Sequence, residues 1–301
     1  MQHQKSILRW LKLTLYIIIG FIVFFIAACF LFDQVVQFRM SDEELLSFFQ
    51  QNKVKGEIRY YTAEGRTIRY VSVGNDSLPT LLFIHGAPGS LSIYRDYFND
   101  SLFLHTFKMY AVDRPGYGNS GFGDPEPSIQ KQAAIIHLIL DSLNKVTHPV
   151  ILVAASYGSS IACRLAMDYP QMVDGLVLVA PSFAPGEEKV YWFTSAVENP
   201  FINWFIPRMF QSANNEKIHH KEELTKMLPF WQNIRVPVIY MQGEKDELVY
   251  TTNAKFAKAH LTNTPYLDIL FFKGRPHFIP FTERPTIRQK ILQMVKMVKK
   301  K

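Results

Sequence analysis

The stretch VILVAASYGSS, residues 150–160, decides the fold that the sequence predicts. Its first four residues are apolar and mostly β-branched, which is typical of a strand buried on both faces of a parallel sheet. Residues 159–168 have the pattern of a helix, and Pro170 follows its end. Ser156 therefore lies at a turn between a strand and a helix, with small residues on either side.

A serine at such a turn fits the motif G-x-S-x-G, here with Ala154 at the first position. A nucleophile on a sharp turn needs small neighbours because the backbone approaches itself closely, and the amides of the following helix stabilise negative charge. A serine on a glycine-rich turn can equally be a plain turn former. The presence of a base, an orienting carboxylate and oxyanion donors elsewhere in the chain decides between these two interpretations.

The composition is that of a globular protein with one large core. The chain has 301 residues, of which 48% are hydrophobic, and its formal net charge is +7. This length can bury a single large core with room for a small insertion. The basic residues concentrate near the N-terminus and at residues 299–301, without a basic stripe interleaved with aromatics. We therefore expect no nucleic-acid partner.

Residues 13–32, LTLYIIIGFIVFFIAACFLF, form an uncharged stretch long enough to cross a membrane as a helix. Basic residues precede it, and Asp33 follows at once. The positive-inside rule then keeps residues 1–12 in the cytoplasm and places the rest of the chain in the periplasm or outside the cell. Residues 33–56 are predicted to form a linker with a short helix.

The same stretch allows other interpretations. It is a membrane helix or a signal sequence, and because it ends without a convincing A-x-A cleavage site we expect an uncleaved anchor. Residues 26–29, IAAC, resemble a bacterial lipobox, in which Cys29 would be lipidated, but residues 30–32 stay apolar where such proteins usually turn polar. The second of the two cysteines, Cys163, is expected to be a small buried hydrophobe, and a disulfide within the domain is excluded.

Residues 57–301 are predicted to form the globular domain. Two strands at 58–61 and 67–73 flank a turn and indicate a hairpin. Further strand candidates lie at 81–84, 109–112, 150–153, 176–179, 238–241 and 269–272. Apolar strands that alternate with helical segments predict an α/β fold with a mostly parallel sheet covered by helices on both faces.

One connection in this pattern is too long. The strands at 176–179 and 238–241 are separated by about 60 residues, roughly twice what a βαβ crossover requires. We expect a small helical cap there, at about 183–233. Residues 191–193 and 201–206 are rich in aromatics, whereas 214–223 are polar. The aromatics either pack the cap onto the body or form an apolar roof over an acyl-binding pocket.

The candidate site lies beyond the carboxyl ends of the strands, where open parallel sheets bind ligands. The loop HGAPGS, residues 85–90, follows the first parallel strand, and its glycines let a backbone amide face the reaction centre. The amides of Ala87 and Tyr157 are therefore candidate oxyanion donors. His85 is expected to be a hydrogen-bonded loop residue, and the loop DRPGYGNS, residues 113–120, to shape the floor of the site.

Two later loops supply a candidate acid and a candidate base. The turn QGEKDELV, residues 242–249, carries three carboxylates, of which Asp246 is the candidate orienting acid and Glu244 its substitute. The alternative is that all three are solvated turn residues. His277 lies on a Gly/Pro loop after the last strand, late enough to complete the chain order Ser, Asp, His.

The motifs HGAPG, DRPGYGNS, AASYG, GEKD and RPHF, in this order, resemble the α/β-hydrolase superfamily from about Arg59 to Lys301. The resemblance implies the α/β-hydrolase fold and a serine hydrolase, esterase-like or lipase-like, that forms an acyl-enzyme on a small acyl substrate without a metal or an organic cofactor. The anchor and the aromatic cap favour lipophilic esters delivered from the bilayer. The implied site residues are Ser156 as nucleophile, Asp246 as acid, His277 as base, and Ala87 and Tyr157 as oxyanion donors.

Three other functions are weighed against this one. A serine at the elbow argues against the epoxide hydrolases and haloalkane dehalogenases of the superfamily, whose nucleophile is a carboxylate. The HGxPG loop is also similar to that of proline iminopeptidases, although their elbow resembles GGSWG and differs at Ala154 and Tyr157; the cap acids Glu187, Glu188, Glu222 and Glu223 could bind a substrate amine. The third alternative is a non-catalytic, membrane-tethered binding protein on the same fold.

Overall fold

The computed structural model describes residues 2–142 and 148–298. The three C-terminal lysines, residues 299–301, where the sequence analysis placed a concentration of basic charge, lie outside these residues. The strands are β1 (Gly56–Ala63), β2 (Arg66–Val73), β3 (Thr80–Ile84), β4 (Lys108–Val112), β5 (Val150–Ala155), β6 (Gly175–Val179), β7 (Val238–Gly243) and β8 (Leu267–Phe272).

The described strands form one sheet in the order β1-β2-β4-β3-β5-β6-β7-β8. The pairs β1–β2 and β2–β4 are antiparallel, and all remaining neighbours are parallel. The predicted hairpin and the predicted mostly parallel sheet are therefore confirmed.

Helices cover both faces of this sheet. The helices of the described residues are α1 (Gln2–Val35), α2 (Asp42–Gln51), α3 (Arg95–Phe98), α4 (Ser101–Thr106), α5 (Ile129–Asp141), α6 (Tyr157–Asp168), α7 (Pro200–Asn203), α8 (Arg208–Met227), α9 (Thr252–His260), α10 (Ile279–Thr282) and α11 (Arg284–Val298). Successive side chains of a strand point to opposite faces, so β3 and β5 contribute to two cores. Leu82 and Leu152 belong to the core with α5 and α6, whereas Phe83 and Ile151 belong to the core with α11.

The long connection between β6 and β7 contains α7, α8 and two short 3-10 turns. Helix α8 packs against the body of the domain. In the segment after it, the Trp231 ring packs against Phe183 and Phe256 at centroid distances of 5.1 and 5.2 Å. The aromatic side chains that precede α8 are less buried than Trp231: Trp192 is 90% exposed and Phe201 is 77% exposed. Of the two alternatives for these aromatics, packing of the cap onto the body therefore does not hold for these two residues.

Helix α1 includes the uncharged stretch and extends beyond it at both ends. The most apolar 18-residue window of its segment Arg9–Val35 has a mean hydropathy of 2.9, and no residue of that window is buried. Among the described helices it is the one long and apolar enough to cross a membrane, a property that signal sequences share. The short helix of the linker, α2, begins after Ser41, whose hydroxyl accepts a hydrogen bond from the Glu44 amide in a capping box.

Replacement of Trp231 by alanine tests how the cap is attached. The side chain is 1% exposed, so Trp231→Ala should lower the free energy of unfolding by about 3–5 kcal/mol. Trp192→Ala removes a side chain of the same size that is 90% exposed, and should change it by less than about 0.5 kcal/mol. Urea unfolding of the full chain in detergent, followed by circular dichroism, measures both values. Equal losses in the two variants would contradict this packing.

Candidate active site

Ser156, Asp246 and His277 lie together at the carboxyl edge of the sheet, in the loops after β5, β7 and β8. The Ser156 Oγ is 3.0 Å from the His277 Nε2. The His277 Nδ1 lies 3.0 Å from Oδ1 and 2.8 Å from Oδ2 of Asp246. Asp246 and His277 are each 8% exposed, so this chain of hydrogen bonds is largely shielded from water.

The backbone around these three residues fixes their directions. Ser156 has φ of 49° and ψ of −124°, a strained conformation typical of a nucleophile on a sharp turn. The Asp246 carboxylate also accepts hydrogen bonds from the amides of Leu248 (3.1 Å) and Val249 (2.9 Å). Because a carboxylate only accepts, the His277 Nδ1 must donate, which leaves Nε2 free to accept from the serine hydroxyl.

Glu244, the substitute acid, is not part of this arrangement. Its Oε2 accepts a hydrogen bond from the Gly274 amide at 2.9 Å, and its side chain is exposed. The carboxylate beside His277 is that of Asp246.

The HGAPGS loop meets the start of α6 at Ser156. A Cβ atom placed on Gly158 would lie only 2.5 Å from the His85 carbonyl oxygen, so this close approach of loop and helix requires a glycine. Tyr157 is the first residue of α6, and its amide has no acceptor within the helix. The fold thus brings the loop that contains Ala87 and the helix that begins at Tyr157 next to the serine.

His85 is a structural residue of this loop, as expected. It is fully buried; its Nε2 accepts a hydrogen bond from the Arg114 amide at 3.0 Å, so Nδ1 is the atom that donates to the Gly86 carbonyl at 2.7 Å. Burial, together with the neighbouring Arg114 charge, lowers the pKa of His85 well below its usual value. A neutral, fully hydrogen-bonded imidazole is suited to holding the loop and not to accepting a proton.

The side chain of Arg114 joins this loop to the cap, a connection that the sequence analysis missed. The guanidinium is fully buried and donates to the carbonyl oxygens of His85 (2.9 Å) and Gly86 (3.0 Å). It also forms two hydrogen bonds with the Glu216 carboxylate of α8, at 2.5 and 3.1 Å. Its carbon Cζ lies 4.9 Å from the centre of the Tyr157 ring. One cation therefore contacts both segments around Ser156 and the cap helix.

Glu216 is fully buried and has further partners in the body. The Gln132 Nε2 donates to its Oε1 at 2.7 Å, and the Tyr117 hydroxyl donates to its Oε2 at 2.7 Å. Burial alone would lower the pKa of Arg114, but the Glu216 carboxylate raises it above its usual value. A buried ion pair of this kind is costly to break, because either partner left alone is an uncompensated charge.

A second histidine–carboxylate pair lies beside Tyr157. The ring of His220, on α8, is 4.5 Å from the Tyr157 ring, and its Nδ1 is 2.9 Å from the Glu188 Oε1. Glu188 also contacts the Lys217 ammonium at 3.1 Å. Burial would raise the pKa of Glu188, but the neighbouring His220 and Lys217 side chains outweigh it and lower this pKa to about 2. The buried His220 Nε2 has no hydrogen-bond partner in the part of the chain that the structure describes.

Glu216 and His220 lie in the stretch 214–223, which the sequence analysis described only as polar. The buried residues of α8 include Ser212, Glu216, His220, Leu224 and Met227, at spacings of three or four. These spacings place polar and apolar members on one helix face. A polar residue on a stripe that also carries Leu and Met has to find a buried partner, and this signal was available in the sequence.

The cap acids that could bind a substrate amine all have partners within the chain. Glu187 contacts the Thr252 hydroxyl, Glu188 contacts His220 and Lys217, Glu222 contacts Lys226, and Glu223 accepts from the Ile129 amide. These contacts explain the presence of the four carboxylates, so no ligand is needed to account for them.

Comparisons with known proteins identify the fold. Residues 79–214 match the family model of the alpha/beta hydrolase fold. A crystal structure of a membrane phospholipase A, a bacterial virulence factor, superposes with a TM-score of 0.64 at 18% identity, over 97% of this chain and 99% of that one. The chain has the α/β-hydrolase fold.

Two curated proteins match parts of this chain. Epoxide hydrolase 1 of Caenorhabditis elegans is 28% identical over an alignment of 170 residues that covers 53% of this chain and 41% of that protein. A haloalkane dehalogenase of Mesorhizobium japonicum is 34% identical over 116 residues, which are 38% of this chain and 35% of that protein. The chain therefore matches less than half the length of these relatives.

Replacement of Glu216 tests the link between the cap and the HGAPGS loop. Glu216→Gln keeps the size of the side chain but leaves the Arg114 charge buried and uncompensated, so the free energy of unfolding should fall by about 3 kcal/mol. Glu222→Gln, which alters an exposed carboxylate on the same helix, should cause no measurable loss. Urea unfolding in detergent measures both, and equal stability of the two variants would contradict the role of the buried pair.

Proposed function

We propose that the protein is a membrane-tethered serine hydrolase that cleaves a carboxylic ester, or an amide, through an acyl-enzyme. The observation that carries this proposal is the continuous chain of hydrogen bonds from Ser156 through His277 to Asp246. The α/β-hydrolase fold supports it, because this fold presents a serine on a strand-to-helix turn at the top of the sheet. The substrate is a small acyl compound, and the aromatic cap favours a lipophilic one.

In the proposed reaction, the His277 Nε2 accepts the Ser156 proton while Oγ attacks the substrate carbonyl carbon. The amides of Ala87 and Tyr157 donate hydrogen bonds to the oxyanion of the tetrahedral intermediate. Asp246 holds the imidazole tautomer and stabilises the imidazolium. His277 then protonates the leaving group. A water molecule attacks the acyl carbonyl carbon and gives a proton to the same nitrogen, and His277 passes this proton to the Ser156 Oγ as the acid is released.

The nucleophile argues against the activities of the two curated relatives. Epoxide hydrolases and haloalkane dehalogenases of this superfamily use a carboxylate at the elbow. This chain has the hydroxyl of Ser156 there, on a backbone with φ of 49°. The structural relative named as a phospholipase A supports an acyl ester as the substrate. The aminopeptidase alternative loses support, because the four cap carboxylates are already paired. The complete set of three side chains disfavours a non-catalytic binding protein.

We further propose that residues 13–32 anchor the protein in a membrane, with residues 1–12 in the cytoplasm. Residues 33–56 link this anchor to the domain at 57–301, whose cap occupies about 183–233. The length and hydropathy of α1 support the anchor, and the basic residues before the span support the orientation.

Reaction with a fluorophosphonate probe tests the serine chemistry. The full chain in detergent should be labelled, and Ser156→Ala should abolish labelling because the reacting oxygen is removed. His277→Ala and Asp246→Asn should reduce turnover of a p-nitrophenyl ester by about 10⁴-fold or more. Ser195→Ala and His105→Ala, at exposed positions, serve as matched controls and should leave both readouts unchanged.

Two outcomes would count against the serine hydrolase. A folded parent that stays unlabelled would exclude an activated Ser156. Hydrolysis of an epoxide that persists in Ser156→Ala would indicate a different nucleophile, as in the curated relatives.

Labelling of single cysteines tests the orientation. In a Cys29→Ser background, a membrane-impermeant maleimide should react with His105→Cys in intact cells, because the domain is proposed to face outward. Gln4→Cys should react only after the cells are permeabilised. Reaction of both positions in intact cells, or of neither, would contradict the proposed orientation.

A further inference from the structure

The cap exposes a group of aromatic side chains beside α1. We call it the cap patch, and it consists of Tyr191, Trp192, Phe193, Phe201 and Trp204. Their exposed fractions range from 36% for Tyr191 to 90% for Trp192. The Phe193 ring packs against Tyr191 and Trp192 at centroid distances of 5.2 and 5.7 Å. Single exposed hydrophobic residues are ordinary on protein surfaces, but several exposed aromatic side chains in one segment mark a surface that contacts a partner.

Two contacts fix the cap patch next to the end of α1. The ring of Phe205 packs against Phe25 of α1 at a centroid distance of 5.3 Å, and it also contacts the patch residues Phe201 and Trp204 at 5.5 and 4.9 Å. Farther along α1, the Asp33 carboxylate accepts hydrogen bonds from the amide (2.7 Å) and Nε (2.9 Å) of Arg208. The patch residues Phe201 and Trp204 are thus held beside the last turns of the apolar helix.

The position of these contacts along α1 gives a depth. Phe25 precedes Phe32, the last residue of the uncharged stretch, by seven residues, or about 10 Å at the rise of an α-helix. If residues 13–32 cross the hydrocarbon layer, the Phe25–Phe205 contact lies about 10 Å inside its edge, and the Asp33–Arg208 pair lies at the level of the headgroups. Interfacial elements bury their apolar faces about 5–10 Å into this boundary, where Trp and Tyr concentrate.

We propose that the cap patch inserts into the interfacial layer of the same bilayer that α1 crosses. This inference rests on the proposed anchor and not on the serine chemistry. Helix α8 begins at Arg208 and reaches Glu216 after eight residues, about 12 Å. The segment at the lipid surface is therefore continuous with the buried carboxylate that binds Arg114 and the HGAPGS loop. The partner is the lipid bilayer, and the cap next to the active site is held against it.

Fluorescence quenching of single labelled positions tests the insertion. The full chain carries Cys29→Ser, and Trp192→Cys, Trp204→Cys or Tyr266→Cys is labelled with NBD; the native Cys163 is fully buried. Tyr266 is a matched control, because it is an aromatic residue and is 38% exposed. It precedes β8 and so lies at the amino ends of the parallel strands, whereas the candidate site lies at their carboxyl ends. In phosphatidylcholine–phosphatidylglycerol vesicles, positions 192 and 204 should be quenched several-fold more by spin-labelled lipid than by iodide, and position 266 the reverse.

Each other outcome overturns the inference. Positions 192 and 204 that are as open to iodide as position 266 would show that the patch lies in water. Protection from both quenchers, with cross-linking between chains, would show that it contacts a second copy of the protein. Fluorophosphonate labelling of the same vesicles separates the proposals, because labelled protein with a water-exposed patch rejects the insertion alone, whereas unlabelled protein rejects the serine chemistry alone.

Discussion

The buried ion pair between Arg114 and Glu216 is the interaction on which the arrangement of the candidate site depends. Its two partners are 102 positions apart in the chain, and both are fully buried. Removing either one would leave an unpaired charge without water, so the cap helix cannot leave the body without a large cost in free energy. Because the same guanidinium binds two carbonyl oxygens of the HGAPGS loop, the position of the loop beside Ser156 is coupled to the position of the cap.

A second constraint is the backbone conformation of Ser156. A non-glycine residue at φ of 49° is unfavourable and persists only where the surroundings impose it. Here the amide of Ser156 donates to the Val179 carbonyl at 2.9 Å, and its carbonyl accepts from Ser159 at 2.9 Å. The neighbouring strand and the first turn of α6 thus hold the residue from both sides. The strain keeps the hydroxyl directed at His277, at the edge of the sheet.

The sequence was sufficient for the fold and for the residues that lie at the ends of strands. Short apolar runs and their loops are local patterns, so β5, the elbow and the loops of Asp246 and His277 could be located without a structure. The partners of Arg114 could not, because the ion pair with Glu216 depends on how the cap docks. The exposure of Trp192 was also not predictable. Aromatic residues are usually buried in a protein surrounded by water, but they are equally suited to contact with lipid.

The cap has two ends of different chemical character. In a soluble protein, a segment with a 90% exposed tryptophan would be a liability. Here the same cap contacts, through Phe205, a helix whose most apolar 18-residue window has a mean hydropathy of 2.9. The same segment leads into α8, whose buried face carries Glu216 and His220 toward Tyr157. Apolar side chains therefore face outward at one end of the cap, and charged side chains face inward at the other. In an ordinary surface helix, apolar side chains face the core and charged side chains face solvent. The reverse arrangement is what a segment requires if it joins a lipid surface to a buried polar site.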